Sequence, residues 1–170
     1  MNLKSIITET PDWPSEGVNF LDITPILENP SVFDYCIDQF VNSAKTASSI
    51  VAIESRGFPI GAVLANRLGI PLVLVRKPGK LPGALYSESY TTEYSTDTLE
   101  IKQSANIGKH PMIIDDLLAT GGTANAVVTL LKKNFNPVSI SCGVIINLSF
   151  LPGEQLLRDN QIDLTSLETY

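Results

Sequence analysis

The stretch Met112–Thr123, MIIDDLLATGGT, joins two kinds of chemistry. Asp115 and Asp116 are adjacent carboxylates at the end of an apolar run. A short apolar spacer leads to Ala119, Thr120, Gly121, Gly122 and Thr123. A helix start leaves several N–H groups without partners and carries positive dipole character. Gly121 and Gly122 permit unusual backbone angles, so successive amides can converge on one anion, with the Thr120 and Thr123 hydroxyls as further donors. Phosphate is the natural occupant. The carboxylates would repel a bare phosphate, yet an ionised carboxylate accepts strongly from O–H. A ribose 5-phosphate satisfies both halves, with its phosphate on the helix start and its 2′- and 3′-hydroxyls on Asp115 and Asp116. The stretch is not a Walker loop, because Gly-Lys-Ser/Thr is missing, and it lacks the GxGxxG dinucleotide fingerprint.

A second group of side chains is positive. Arg56 follows a β-branched run and precedes Gly57, and Arg76, Lys77 and Lys80 form a dense basic patch. The whole chain carries a net charge of −6. Any anion is therefore bound by local groups against the global field, and broad affinity for nucleic acid or membrane surfaces is not expected. Cys36 and Cys142 stand far apart with no CxxC spacing, which reads as two free thiols. His110, the only histidine, precedes Pro111 and reads as structural, and Trp13 and the Phe33/Phe40 stripe read as core or interface.

These groups need a frame. The chain has 170 residues, 44% of them hydrophobic, enough for a single domain over 1–170. No apolar run approaches the roughly 18 residues that span a membrane, and no signal peptide is read at the N-terminus. Residues 1–30 are rich in turn formers and read as an irregular lead-in or small cap. Period predicts a helix over Val32–Thr46, with Ser31 as N-cap and Phe33, Ile37, Phe40, Val41 and Ala44 on one stripe. Buried strands are expected at Ser49–Ile53, Ile70–Lys77, Pro111–Asp115 and Pro137–Leu148. Helices are expected at Phe58–Leu68, with Gly69 as stop, at Gly122–Lys133 and at Pro152–Asp159. Lys77–Gly83 is broken by Pro and Gly, and Ala84–Gln103 alternates like a hairpin or mobile flap. A small tail, IDLTSLETY, closes the chain. Continuous apolar strands alternating with helices predict an α/β fold, a parallel sheet with helices on both faces. Such sheets bind ligands beyond their C-terminal strand ends, where ESRG, RKPGK and DDLLATGGT all fall.

MIIDDLLATGGT resembles the phosphoribosyl-pyrophosphate (PRPP) motif of the type I phosphoribosyltransferases. More narrowly, the chain is similar to the adenine phosphoribosyltransferases over nearly its whole length. The matching segments include PDWPSEGVNFLDITPIL, IVAIESRGFPIGAVLA, VRKPGKLPG, SYTTEYSTDTLEI and SLETY. The resemblance implies a type I core, a small N-terminal hood over 1–30 that recognises the base, and a flexible β lid over 77–95. It implies the reaction adenine + PRPP ⇌ AMP + pyrophosphate, with Mg²⁺ carried mainly by substrate and water and no dedicated protein ligands. It also implies a cytoplasmic homodimer.

The implied roles fall on particular residues. Glu54, Ser55 and Arg56 would hold pyrophosphate, largely through backbone amides and a cis Glu54–Ser55 peptide, together with Arg76, Lys77 and Lys80. Asn19, Phe20 and Leu21 would read adenine, with Phe20 stacking on the purine. Glu93 would be the general acid/base, with Tyr94 closing the lid and Arg76 assisting catalysis. Ala119 stands where enzymes for 6-oxopurines usually carry an Asp, which moves proton transfer away from the phosphate loop. The sequence departs from the family at Asn19 and Leu21, where an apolar and a basic residue are common, and at Ser95, where Gly is usual. The alternatives are a phosphoribosyltransferase for another purine base and a PRPP-sensing regulator. The acidic charge and the lack of a spare domain disfavour the regulator.

Overall fold

The structure is a computed structural model that describes residues 1–91 and 96–170, with only the backbone described for Thr91. Its centre is a five-stranded parallel sheet with strand order β4-β3-β7-β8-β9. The strands are β3 (Ser49–Ile53), β4 (Leu72–Val75), β7 (Pro111–Leu118), β8 (Ser141–Asn147) and β9 (Asp163–Thr169). A ribbon of β1 (Thr8–Thr10) and β2 (Phe20–Asp22) lies in the N-terminal segment, and β5 (Leu85–Thr91) pairs antiparallel with β6 (Thr96–Lys102). The helices are α1 (Thr24–Leu27), α2 (Pro30–Ser43), α3 (Gly57–Leu68), α4 (Gly122–Phe135) and α5 (Gly153–Asp159).

Both faces of the sheet are covered, as expected for all-parallel pairing. Val51, Ile53 and Ile113 pack with Val127, Leu130 and Leu131 of α4 on one face. Ile50, Met112 and Ile114 pack with Ile37 and Phe40 of α2 and Ile60 and Leu64 of α3 on the other. The strands of the centre are buried along their length, which is why they read as unbroken apolar runs rather than alternating ones.

Several boundaries differ from the sequence reading for local reasons. Helix α2 starts two residues earlier: Asn29 is the N-cap, accepting from the Val32 N–H at 3.3 Å, and Pro30 takes the first helical position. Ser31 is therefore inside the helix. Its inward face is Val32, Cys36, Ile37, Phe40 and Ala44, while Phe33 and Val41 flank it half-buried. Trp13 is not core: it is 51% exposed and meets Phe20 edge-on at 4.4 Å between ring centroids. The tail is the fifth strand of the sheet. β9 shows partial burial along most of its length, so neither a period of two nor an apolar run marked it. β7 continues through both Asp to Leu118 instead of ending at them. Both cysteines are free and buried. Burial pushes the Cys36 thiol up to about 11 and the Cys142 thiol up to about 12. His110 sits at the start of β7 with its Nδ1 2.8 Å from Ser139 Oγ, at the end of the sheet away from the β7–α4 loop.

Candidate active site

Parallel pairing of Ile53 with Val75, and of Ala52 with Ile114, brings three strand exits to one edge of the sheet. The turn after β3, the segment after β4 and the loop after β7 meet there. They line a cavity of about 540 Å³ together with the hairpin. Its walls include Glu54, Ser55, Arg56, Lys77, Asp115, Asp116 and every residue from Ala119 to Thr123.

Two adjacent strand residues ordinarily point to opposite faces. Here Ile114 and Leu117, three residues apart, pack in the same cluster, so the alternation breaks across the two Asp and both reach the cavity. Asp115 Oδ1 accepts from the Asp116 N–H at 2.9 Å. Burial first, and then the neighbouring Asp116 carboxylate, hold Asp115 well above the ordinary carboxylate range. Burial raises Asp116 as well, against the opposing effect of Arg56. Gly57, first residue of α3, makes room for this arrangement: a Cβ there would lie 2.5 Å from the Ile114 carbonyl oxygen.

The geometry of residues 119–123 can cradle an anion. Gly121 has φ 83°, and a Cβ on it would lie 2.8 Å from the Gly153 Cα. Glycine is thus required there twice, by backbone angle and by the start of α5 packed against the loop. Gly153 in turn donates its N–H to the Ala119 carbonyl at 3.1 Å, propping the loop from behind. Gly122 begins α4 and is not at positive φ, so the unusual angle expected of both glycines belongs to Gly121 alone. The first i−4 bond runs from the Asn125 N–H to the Gly121 carbonyl, so the amides of 122–124 have no intrahelical partner. Residues 122–124 line the cavity, as does Thr120.

The positive residues divide into two groups. Arg56 reaches the carboxylates: its Nε lies 2.9 Å from Asp116 Oδ2, and its guanidinium stacks 4.9 Å above the Phe20 ring. The approach is an ion pair rather than an aligned hydrogen bond. Among the described residues, Asp116 Oδ2 and Arg56 Nη1 are buried with no hydrogen-bond partner. Buried polar atoms left so are costly unless something completes them. Arg76 instead forks onto Glu54, with Nε–Oε2 at 3.1 Å and Nη2–Oε1 at 3.2 Å. Glu54 also accepts from the Lys77 N–H at 3.0 Å, and the Arg76 hydrogen bond holds its carboxyl below the usual range. The Glu54 side chain therefore orients Arg76 and the start of the basic segment. The Glu54–Ser55 peptide is cis.

The remaining candidates stand apart from the cavity wall. Arg76 lies behind Glu54, and the Lys80 carbonyl accepts from Arg76 Nη1 at 3.3 Å. The Leu21 side chain is 4% exposed and belongs to the core. Asn19 Nδ2 donates to Glu9 Oε2 at 3.0 Å across the β1–β2 ribbon. Phe20 joins the site through Arg56. Glu93, Tyr94 and Ser95 lie outside the described residues. Two cavity-lining side chains escaped the sequence reading, Tyr90 and Asp97, which pair across the hairpin. Their only signal was the alternation of the hairpin itself.

Comparison with known proteins bears on this cavity directly. The phosphoribosyl transferase domain family matches residues 26–167. An adenine phosphoribosyltransferase of Acaryochloris marina is 48% identical over 166 residues, covering 96% of this chain and 97% of its own length. The chain belongs to the adenine phosphoribosyltransferase family. A crystal structure of the Thermoanaerobacter pseudethanolicus member matches the fold with a TM-score of 0.91 at 40% identity, over 99% of this chain and 98% of that one. The Saccharomyces cerevisiae member, solved with adenine and an imino-altritol bisphosphate, matches at 0.89 and 36% identity over 98% and 96%. The Trypanosoma brucei member, solved with AMP, pyrophosphate and ribose-5-phosphate, matches at 0.88 and 27% identity over 98% and 77%. Family membership accounts for the parallel core.

Proposed function

We propose that this chain transfers the 5-phosphoribosyl group of PRPP to adenine, giving AMP and pyrophosphate, as a pentosyltransferase of purine salvage. The observation that carries the reading is the shared cavity: two buried carboxylates with Arg56 against one of them, a helix start whose first amides lack intrahelical partners, and Lys77 in the same wall. Adenine, AMP, pyrophosphate and ribose-5-phosphate, held by the yeast and trypanosome relatives, are ligands of the same classes.

In this reading the amides of 122–124, Thr123 among them, and the Thr120 hydroxyl take the 5′-phosphate. Asp115 and Asp116 accept from the ribose hydroxyls, which supply the partner that Asp116 Oδ2 lacks. Ser55, Arg56 and Lys77 face the pyrophosphate, with Arg76 held for support by Glu54. Adenine lies by Phe20, next to the Arg56 guanidinium. Breaking the bond at C1′ creates oxocarbenium character, which water would intercept. The 77–95 lid excludes water, and Glu93 on it exchanges the purine N7 proton, assisted by Tyr94.

Mg²⁺ fits this donor set as a passenger of the substrate. Among the described residues no cluster of three or more Asp, Glu, His or Cys side chains could cage a metal. Substrate oxygens and water would make most of its shell, with the carboxylates of the cavity wall nearby. When bound, it neutralises charge on the pyrophosphate leaving group. Among the described residues no helix is long and apolar enough to cross a membrane. The reading carries with it a homodimer in the cytoplasm, for which family resemblance is the support.

The test is a base panel with purified protein, PRPP and Mg²⁺. Adenine is expected to turn over, and hypoxanthine, guanine and xanthine to fail, because no carboxylate stands at Ala119. Preference for a 6-oxopurine would reject the adenine assignment. No turnover with any base, alongside intact PRPP binding, would favour a sensor.

A further inference from the structure

The cavity wall contains a hydroxyl to which the sequence segments above assign no role. Tyr90 lies near the end of β5 and lines the cavity beside Thr120–Thr123. The Thr123 Oγ1–H donates to the Tyr90 phenolic oxygen at 3.1 Å. The geometry points to Tyr90 as a ligand of the 5′-phosphate, delivered by the hairpin and acting in series with Thr123. The inference rests on the reading of 119–123 as a phosphate loop.

The position of the phenol is set by strand period. Tyr86, Glu88 and Tyr90 alternate along β5 and so share one face. That face lies on α4, the helix that begins with the phosphate loop. Tyr86 meets Phe135 edge-on at 5.5 Å between centroids, and Glu88 Oε2 lies 3.4 Å from Lys133 Nζ. Tyr90 packs half-buried against the core cluster that includes Val127 and Leu131. The hydroxyl is thus fixed relative to α4 by three side chains of one strand.

Proton accounting decides what it can do. A threonine hydroxyl has one proton and a phenol has one. Thr123 uses its proton on Tyr90, and the phenol keeps its own to donate. Accepting one hydrogen bond strengthens a hydroxyl as donor in the next. The chain Thr123 O–H, Tyr90 O–H, phosphate oxygen therefore ends in a charge-assisted bond, which is stronger than a neutral one. Tyr90 makes the site selective for a phosphorylated pentose, since a bare ribose leaves this donor unused.

The test titrates wild type and Tyr90→Phe separately with ribose 5-phosphate and with pyrophosphate, each with Mg²⁺, by calorimetry. Phe keeps the ring and its packing, so only the hydroxyl is lost. Ribose 5-phosphate is expected to bind about tenfold more weakly, while pyrophosphate binds as in wild type. In steady state the KM for PRPP rises and kcat is unchanged. Because the hydroxyls act in series, Thr123→Val with Tyr90→Phe should lose little more than Tyr90→Phe alone. Wild-type affinity in Tyr90→Phe, equal losses for both ligands, or additive losses in the double variant would each overturn the proposal and leave the phosphate loop standing. If wild-type protein binds no ribose 5-phosphate, the loop reading fails and Tyr90 falls with it.

Discussion

Asp115→Asn is expected to weaken PRPP roughly 10- to 100-fold, the range for losing a hydrogen bond to a charged group. The KM for adenine is expected to stay as in wild type. The same change is expected to raise the melting temperature at neutral pH. Burial and the neighbouring Asp116 hold the Asp115 carboxyl well above its ordinary range. The folded protein therefore binds this proton more tightly than the unfolded chain does. Stability from the protonated carboxyl is full below the unfolded range and is lost as pH rises through the raised, folded range. Above the unfolded range the buried carboxyl must either take up a proton or carry a buried charge, a cost that Asn removes, while Asn Oδ1 can still accept from the Asp116 N–H. The melting-temperature gain should be largest at pH 7–8 and should shrink on acidification through the raised range. Calorimetric titration with PRPP and a series of thermal melts from pH 4 to 8 check both halves. Equal losses for PRPP and adenine would remove the ribose-gripping role, and a lower melting temperature at pH 8 would contradict the buried-charge account.

Glu93→Gln carries the largest expected effect on rate. General acid/base groups contribute typically about 10²- to 10⁴-fold. Gln keeps the size of the side chain and removes the transferable proton, so turnover should fall by that range while PRPP affinity is retained. The comparison of single-turnover rates with PRPP titrations separates the two. Unchanged turnover would take Glu93 out of the mechanism, and a matching loss of PRPP affinity would make it a binding residue instead.

The parallel core was legible because its strands are buried on both faces. SIVAI and MII present unbroken apolar runs, and Gly69 and Gly121 mark turns that only glycine suits at φ 67° and 83°. The acidic pair and the glycine loop were legible together because no ordinary βα turn asks for both. What stayed hidden depends on neighbours distant in sequence. The Glu54–Arg76 fork joins the residues that follow two adjacent strands, and nothing local marks Glu54 as an orienting group rather than a ligand. The Arg56–Asp116 approach, over Phe20, needs the β3–α3 turn folded back toward β7 and Phe20 of β2 brought against the Arg56 guanidinium. Strand β9 escaped because an edge strand is only half-buried, and its polar residues blur any period. Ser31 lost the cap to Asn29 because Pro30 takes a first helical position easily, where its missing N–H costs nothing.

A crystal structure with ribose 5-phosphate bound tests the central claim most directly. The predicted result is the phosphate within hydrogen-bonding distance of the amides at 122–124 and the 2′- and 3′-hydroxyls on Asp115 and Asp116. A sugar phosphate seated elsewhere on the protein, or one whose hydroxyls turn away from both carboxylates, would contradict it.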